Sequence, residues 1–178
     1  MSRSGSPKIE LVQSFHEVGV IEPNLEKIER SLRSSDADLI VFPEMFLTGY
    51  TLGNDVGPIS LYPENDIFSS LTDLCKEYDN HVLFGFPERS LKIKGQIHNS
   101  AALIGPEGLI GVYRKNHLVD FGPFEEWAYF TPGDETFMFD LNGFKIGVII
   151  CYDIFFPELT KSYALNGADC VICISASP

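Results

Sequence analysis

Two runs of this chain, Val148-Ile149-Ile150 and Val171-Ile172-Cys173, are apolar at every position rather than at every second one. Successive side chains on a strand point to opposite faces, so a strand covered on one side only alternates. These two runs therefore require a sheet with a layer on each side. The rest of the chain supplies candidate layers. Residues 8–15, 38–42, 81–86, 97–104, 109–113, 137–141, 144–150 and 169–175 read as strands, and 24–32, 66–78 and 157–166 as helices. Gly105-Pro106-Glu107-Gly108 and Asn142-Gly143 mark hairpins, and Gly167 stops the last helix. Helices alternate with strands and hairpins are mixed in, which predicts an α/β fold with a mixed sheet and helices on one face. Residues 44–63 read as a long loop punctuated by Gly49, Gly53, Gly57 and Pro58, and 114–134 as an irregular aromatic stretch.

Composition removes several classes of function. The chain has 178 residues and a net charge of −12, and an acidic protein of this kind is repelled by nucleic acid and by anionic membrane surfaces. No apolar run has the length of a membrane span, and the N-terminus lacks the apolar core of an export signal, so a cytoplasmic location is expected. Residues 1–7 read as a disordered or tag-derived start, and 8–178 as one domain without repeats or linkers. Cys75, Cys151, Cys170 and Cys173 then read as free thiols. Cys170 and Cys173 have the spacing of a redox or zinc pair, but they lie in a strand-like run, where residues three apart face opposite ways. His16, His81, His98 and His117 show no metal spacing, so neither a metal nor a cofactor is expected.

Cys151 is the residue around which chemistry can be arranged. It ends the run 144–150 and precedes Pro157-Glu158, which suit a first helical turn. A thiol at such a strand end can project into a cleft near backbone N–H groups, although buried structural cysteines are equally common. Phe-Pro-Glu occurs three times, ending at Glu44, Glu88 and Glu158. Glu158 suits the positive end of a helix, and Glu88, next to Arg89 and Ser90, reads as solvated. Glu44 closes an apolar strand and opens onto Met45, Phe46, Leu47 and Tyr50, where desolvation would raise its pKa toward that of a general base. Lys115 sits at another strand end and opens the aromatic stretch with Phe121, Trp127 and Tyr129; the bland alternative is a surface lysine. Together a thiol, a carboxylate and an ammonium at three strand ends could deprotonate the thiol and stabilise an oxyanion.

These residues resemble the nitrilase superfamily of carbon–nitrogen hydrolases. Three motif regions occur in family order: Phe42-Pro43-Glu44 through Gly49-Tyr50, Tyr113-Arg114-Lys115-Asn116-His117-Leu118, and Gly147 through Cys151-Tyr152-Asp153 with Phe156-Pro157-Glu158. The resemblance implies Cys151 as nucleophile, Glu44 as general base and Lys115 as oxyanion stabiliser. It implies a supporting glutamate after the lysine, with Glu126 fitting best and Glu125 the alternative, and a second oxyanion donor in the Tyr152 N–H. It implies a four-layer α-β-β-α sandwich, self-association, and a small amide or nitrile as substrate, with Tyr152-Asp153 favouring an amide and a carbamoyl amide equally compatible. Against that family the chain is expected to lack roughly the C-terminal third of a larger domain. A further expectation follows, that the runs at 144–150 and 169–175 lack cover on one side and the isolated chain is unstable, aggregated or dependent on a partner. Another possibility is an inert module that works only by binding.

Overall fold

The structure is a computed structural model that describes residues 5–176, so Met1–Ser4 of the expected polar start and the final 177–178 lie outside the described residues. Eight strands form two sheets rather than one. The first sheet has the order β1 (Ile9–Leu11), β2 (Leu39–Val41), β3 (His81–Arg89), β4 (Ile97–Gly105), β5 (Gly108–Arg114); β1, β2 and β3 run parallel, and β3, β4 and β5 antiparallel. In the second sheet β6 (Phe137–Leu141) pairs antiparallel with β7 (Phe144–Ile150), which pairs in parallel with β8 (Cys170–Ile174). The periodicity alone predicted a single mixed sheet. The chain between β5 and β6 instead crosses to a second layer, giving the α-β-β-α sandwich that the resemblance implied.

The layers follow from which faces are apolar. Leu39, Val41, Leu83, Leu103 and Tyr113 of the first sheet meet Phe139, Ile146, Val148, Ile150 and Ile172 of the second in one buried core. On the outer face of the first sheet lie α1 (Glu22–Ser34) and α3 (Asp66–Tyr78). In α1, Pro23 in the first turn fits a position without a hydrogen-bonding obligation, and Ile28 and Leu32 form the buried stripe. In α3, the Asn65 side chain accepts from the Ile67 N–H, Phe68, Leu71 and Cys75 turn inward, and Asp79 ends the helix at φ +53°. Two short helices, α2 (Val56–Ile59) and α4 (Glu126–Tyr129), interrupt stretches read as loop. On the outer face of the second sheet, α5 (Pro157–Leu165) packs Leu159 and Tyr163 against Ile149.

This last contact corrects the expectation that 144–150 lacks cover. Ile146, Val148 and Ile150 face the core between the sheets and Ile149 faces α5, so β7 is covered on both sides. On β8, Ile172 and Ile174 are buried, Val171 and Cys173 half-buried and Cys170 exposed. Two strand boundaries also differ. The first strand is confined to β1, and Phe15, expected within it, is 95% exposed. Conversely β3 runs through Pro87. The Pro87 carbonyl accepts from Leu61, so its nitrogen also faces away from β4, and no β3–β4 hydrogen bond is lost. Among the described residues no helix is long and apolar enough to cross a membrane.

Candidate active site

Glu44 leaves the end of β2 and turns back across β3. A Cβ at Gly85 would lie 2.2 Å from the Met45 nitrogen and 2.7 Å from the Glu44 Cα, so glycine there permits the crossing. Lys115 follows β5. Its N–H donates to the Asn99 carbonyl at 2.9 Å, and its carbonyl accepts from Gly133 at 2.8 Å. The neighbouring Arg114 grips Glu88 through two hydrogen bonds of 2.6 and 2.7 Å, with the Ser100 hydroxyl donating to the same carboxylate at 2.7 Å. Glu88 is therefore buried at the junction of three strands, not solvated as its neighbours in sequence suggested.

Cys151 leaves β7 as the first residue of a 3-10 turn (Cys151–Phe155) with φ +48°, a left-handed conformation that costs a non-glycine residue on the order of 1–3 kcal/mol. The turn is tied down by Asp153, which has no exposed surface. Its carboxylate accepts from the Ile150 N–H at 3.1 Å, the Tyr113 hydroxyl at 2.8 Å and the His117 N–H at 2.9 Å, and pairs with His117 Nδ1 at 3.0 Å. Tyr113 and His117 flank the lysine, so Asp153 links the cysteine turn to the segment that carries Lys115. The His117 ring stacks on Phe156 at 3.5 Å.

Between these elements lies a buried ionic cluster. Lys115 Nζ donates to Glu44 Oε1 and to Glu126 Oε1, both at 2.8 Å. Asn99 donates to Glu44 Oε1 at 2.7 Å and the Ala176 N–H to Glu44 Oε2 at 3.0 Å. Glu44 thus sits among donors, where the sequence suggested apolar neighbours. Glu126 also accepts from the Tyr50 hydroxyl at 2.7 Å and the Val119 N–H at 2.8 Å. Of the two candidates it alone reaches the lysine; Glu125 is exposed. Burial by itself would lower the Lys115 pKa, but the charges and hydrogen bonds of Glu44 and Glu126 outweigh it and hold the ammonium above its ordinary value.

The Cys151 thiol shares its cavity with Glu44 and Ser175. Burial, and then the Glu44 charge, push its pKa up; the Ser175 hydrogen bond and the Lys115 charge oppose them without reversing the direction. The thiol is therefore protonated at neutral pH, with a carboxylate in the same cavity. Such a pair can transfer the proton as sulfur attacks, so no preformed thiolate is needed. The thiol faces a cavity of about 460 Å³ lined by Glu44, Tyr152, Phe121 and other apolar groups. Trp127, of the same aromatic stretch as Phe121, does not line it and is 57% exposed. Cys75 and Cys173 are pushed up to about 12 and about 11 by burial, and Cys170 is raised for the same reason.

Three participants escaped the sequence reading: Tyr50, Asn99 and the anchoring role of Asp153. A signal existed for Asn99, which stands with His98 and Ser100 as a polar start to a strand that goes on as Ala101-Ala102-Leu103-Ile104, and which is wholly buried. A buried polar side chain needs a partner, which here is Glu44.

Residues 11–178 match the family profile described as carbon-nitrogen hydrolase. The chain is 35% identical to a nitrilase of Pyrococcus abyssi over 92% of its own length and 63% of that protein. It is 34% identical to an (R)-stereoselective amidase of a Pseudomonas species, over 93% of this chain and 58% of the relative. The chain thus spans less than two thirds of either relative. Among solved structures, an amidase from Nesterenkonia sp. superposes with a TM-score of 0.82 at 26% identity, covering 97% of this chain and 66% of that one.

Proposed function

The chain belongs to the carbon–nitrogen hydrolase family of the nitrilase superfamily, and from that premise we propose that it hydrolyses small carboxamides through a thioester on Cys151. The observation that carries the reading is that Cys151 and Glu44 line one cavity, with Glu44 bonded to an ammonium fixed by two carboxylates.

Cys151 Sγ attacks the amide carbonyl carbon while its proton passes to Glu44. The C–S bond forms, and the carbonyl oxygen becomes an oxyanion that Lys115 and the Tyr152 N–H stabilise. Glu44 returns the proton to the amide nitrogen, the C–N bond breaks, and ammonia leaves. Water then loses a proton to Glu44 as it attacks the thioester; the C–S bond breaks and the proton returns to sulfur. The products are a carboxylic acid and ammonia, with the enzyme restored. Glu126 keeps the lysine charged and aimed, and is itself held by Tyr50 and Val119. The fixed ion cluster gives Lys115 little freedom, which suits an electrostatic group that must not reorganise during reaction. In this reading residues 8–178 are the hydrolase domain.

Ammonia release from an amide, carbamoyl amide and nitrile panel tests the reading, with mass spectrometry of the quenched protein to locate an acyl adduct. The expected result is release from an amide with the acyl mass on the peptide containing Cys151. Ammonia release without any adduct, or an adduct on another cysteine with Cys151→Ala still active, overturns it. Similarity to the Pyrococcus nitrilase supports a second reading, nitrile hydrolysis by the same thiol. A nitrile turned over faster than the matching amide selects that reading.

A further inference from the structure

The cavity in front of Cys151 has a lopsided chemistry. Val119, Phe121, Phe124, Tyr152, Ile154 and Phe155 supply its apolar walls, and the only charged group among its lining residues is Glu44. Four edge-on or tilted ring contacts join the aromatic side chains into a continuous rim. They run from Tyr50 to Phe124 (6.1 Å), Phe124 to Phe121 (6.1 Å), Phe121 to Tyr152 (5.5 Å) and Tyr152 to Phe155 (5.6 Å). Such contacts hold the rings in place. Yet Phe121, Ile154 and Phe155 remain 58%, 54% and 74% exposed, an unusual concentration of open apolar surface beside a nucleophile.

Charge decides what can lie there. Among the described residues that line it there is no arginine, lysine or histidine. Lys115 is buried, already shared between two carboxylates, and in the proposed mechanism committed to the carbonyl oxygen. The other nearby cationic candidate, His117, is held by Asp153 and stacked on Phe156. A carboxylate on the substrate would find Glu44 in front of it and no counter-ion, in a chain of net charge −12. Losing water there without a partner is expensive. A neutral apolar group finds rings already arranged to cover it, in a cavity within the range of about 300–1,000 Å³ that small-molecule sites occupy.

We propose that this aromatic rim is an acyl-group subsite selecting uncharged apolar carboxamides, with aromatic or branched acyl chains lying against Phe121 and Phe155, and rejecting amides that carry a carboxylate. The proposal deepens the amidase reading and rests on it. Phe121 and Phe155, more than half exposed, can be shortened without opening the core, which makes the subsite separable from folding.

The test compares kcat/KM for ammonia release from phenylacetamide, propionamide and succinamate, using the full-length protein and its Phe121→Ala and Phe155→Ala variants. Phenylacetamide is expected to exceed propionamide by about tenfold or more and succinamate by at least about a hundredfold. Each variant is expected to lose about fivefold on phenylacetamide, the effect of a partly exposed apolar contact, while propionamide stays within about twofold. If propionamide is hydrolysed but succinamate is as good as phenylacetamide, or neither variant narrows the phenylacetamide-to-propionamide ratio, the subsite proposal fails and the amidase reading stands. If none of the three amides releases ammonia, the amidase reading fails and takes the subsite with it.

Discussion

In the five-stranded sheet β3 and β4 are buried along almost their whole length, and Glu44 after β2 and Lys115 after β5 meet within a cluster that also holds Asn99 and Glu126. The three-stranded sheet is less enclosed. Its β8 leaves Cys170 exposed, and Cys151 leaves β7 with a positive φ. The carboxylate and the ammonium are thus set by a buried, hydrogen-bonded frame. The thiol is set by a strained turn whose geometry depends on Asp153 reaching back to Tyr113 and His117. The difference suggests a division of labour. One sheet supplies a fixed electrostatic environment, and the other presents the sulfur to it through a single carboxylate tie.

The sharpest way to break this picture is Cys151→Ala. It is expected to reduce amide turnover by at least about 10⁴-fold, the scale seen when a nucleophile is removed from a unit that works together. Cys75→Ala, Cys170→Ala and Cys173→Ala should each leave turnover of the same order as the parent. Two of those three abolishing activity in folded protein would relocate the nucleophile.

Lys115→Ala attacks the rigid frame. It leaves Glu44 and Glu126 buried without their shared counter-ion. Urea denaturation should show a loss of about 3–5 kcal/mol, and the folded fraction should lose about 10²–10³-fold in kcat if the lysine stabilises the oxyanion as proposed. An unchanged urea midpoint would mean that the ion cluster does not support the fold. Asp153→Asn attacks the tie. It keeps the shape but removes the charge that collects three donors and His117, so kcat should fall about 10–100-fold, as for a small misplacement of a reacting group. KM should hardly change, because the acyl pocket is left in place. A rise in KM at constant kcat would show that Asp153 serves binding instead. The smallest effect is expected for Glu88→Gln. Arg114 is 40% exposed, so solvent already weakens that pair, and a loss of about 1–2 kcal/mol with kcat within about threefold is expected. A kcat loss as large as that of Asp153→Asn would make the five-stranded sheet the more delicate of the two.

What was legible in the sequence was what is encoded locally. Glu44, Lys115 and Cys151 each end a strand, and each strand announces itself by apolar residues over a few positions. The helices were legible for the same reason, through stripes such as Phe68, Leu71 and Cys75. The partners of the site were not. Tyr50 meets Glu126 across 76 residues and Asn99 meets Glu44 across 55, and no local periodicity reports a pairing of that range. Glu88 was misread because its sequence neighbours are polar, while its spatial neighbours, Ser100 and Arg114, come from two other strands. The split into two sheets was hidden too, since a strand's own pattern records that it is covered but not by what.

The central claim is that Cys151 rests as a thiol and gives its proton to Glu44 only on attack. The most direct measurement is the rate of Cys151 alkylation by iodoacetamide against pH, in the parent and in Glu44→Gln. Burial and the Glu44 charge raise the thiol pKa, so the parent rate should climb through a midpoint above the ordinary cysteine value of about 8.5. Removing the carboxylate's charge should move that midpoint down, making Cys151 more reactive toward iodoacetamide at neutral pH. A parent midpoint well below the ordinary value, or one that rises in Glu44→Gln, would indicate a preformed thiolate and contradict the account.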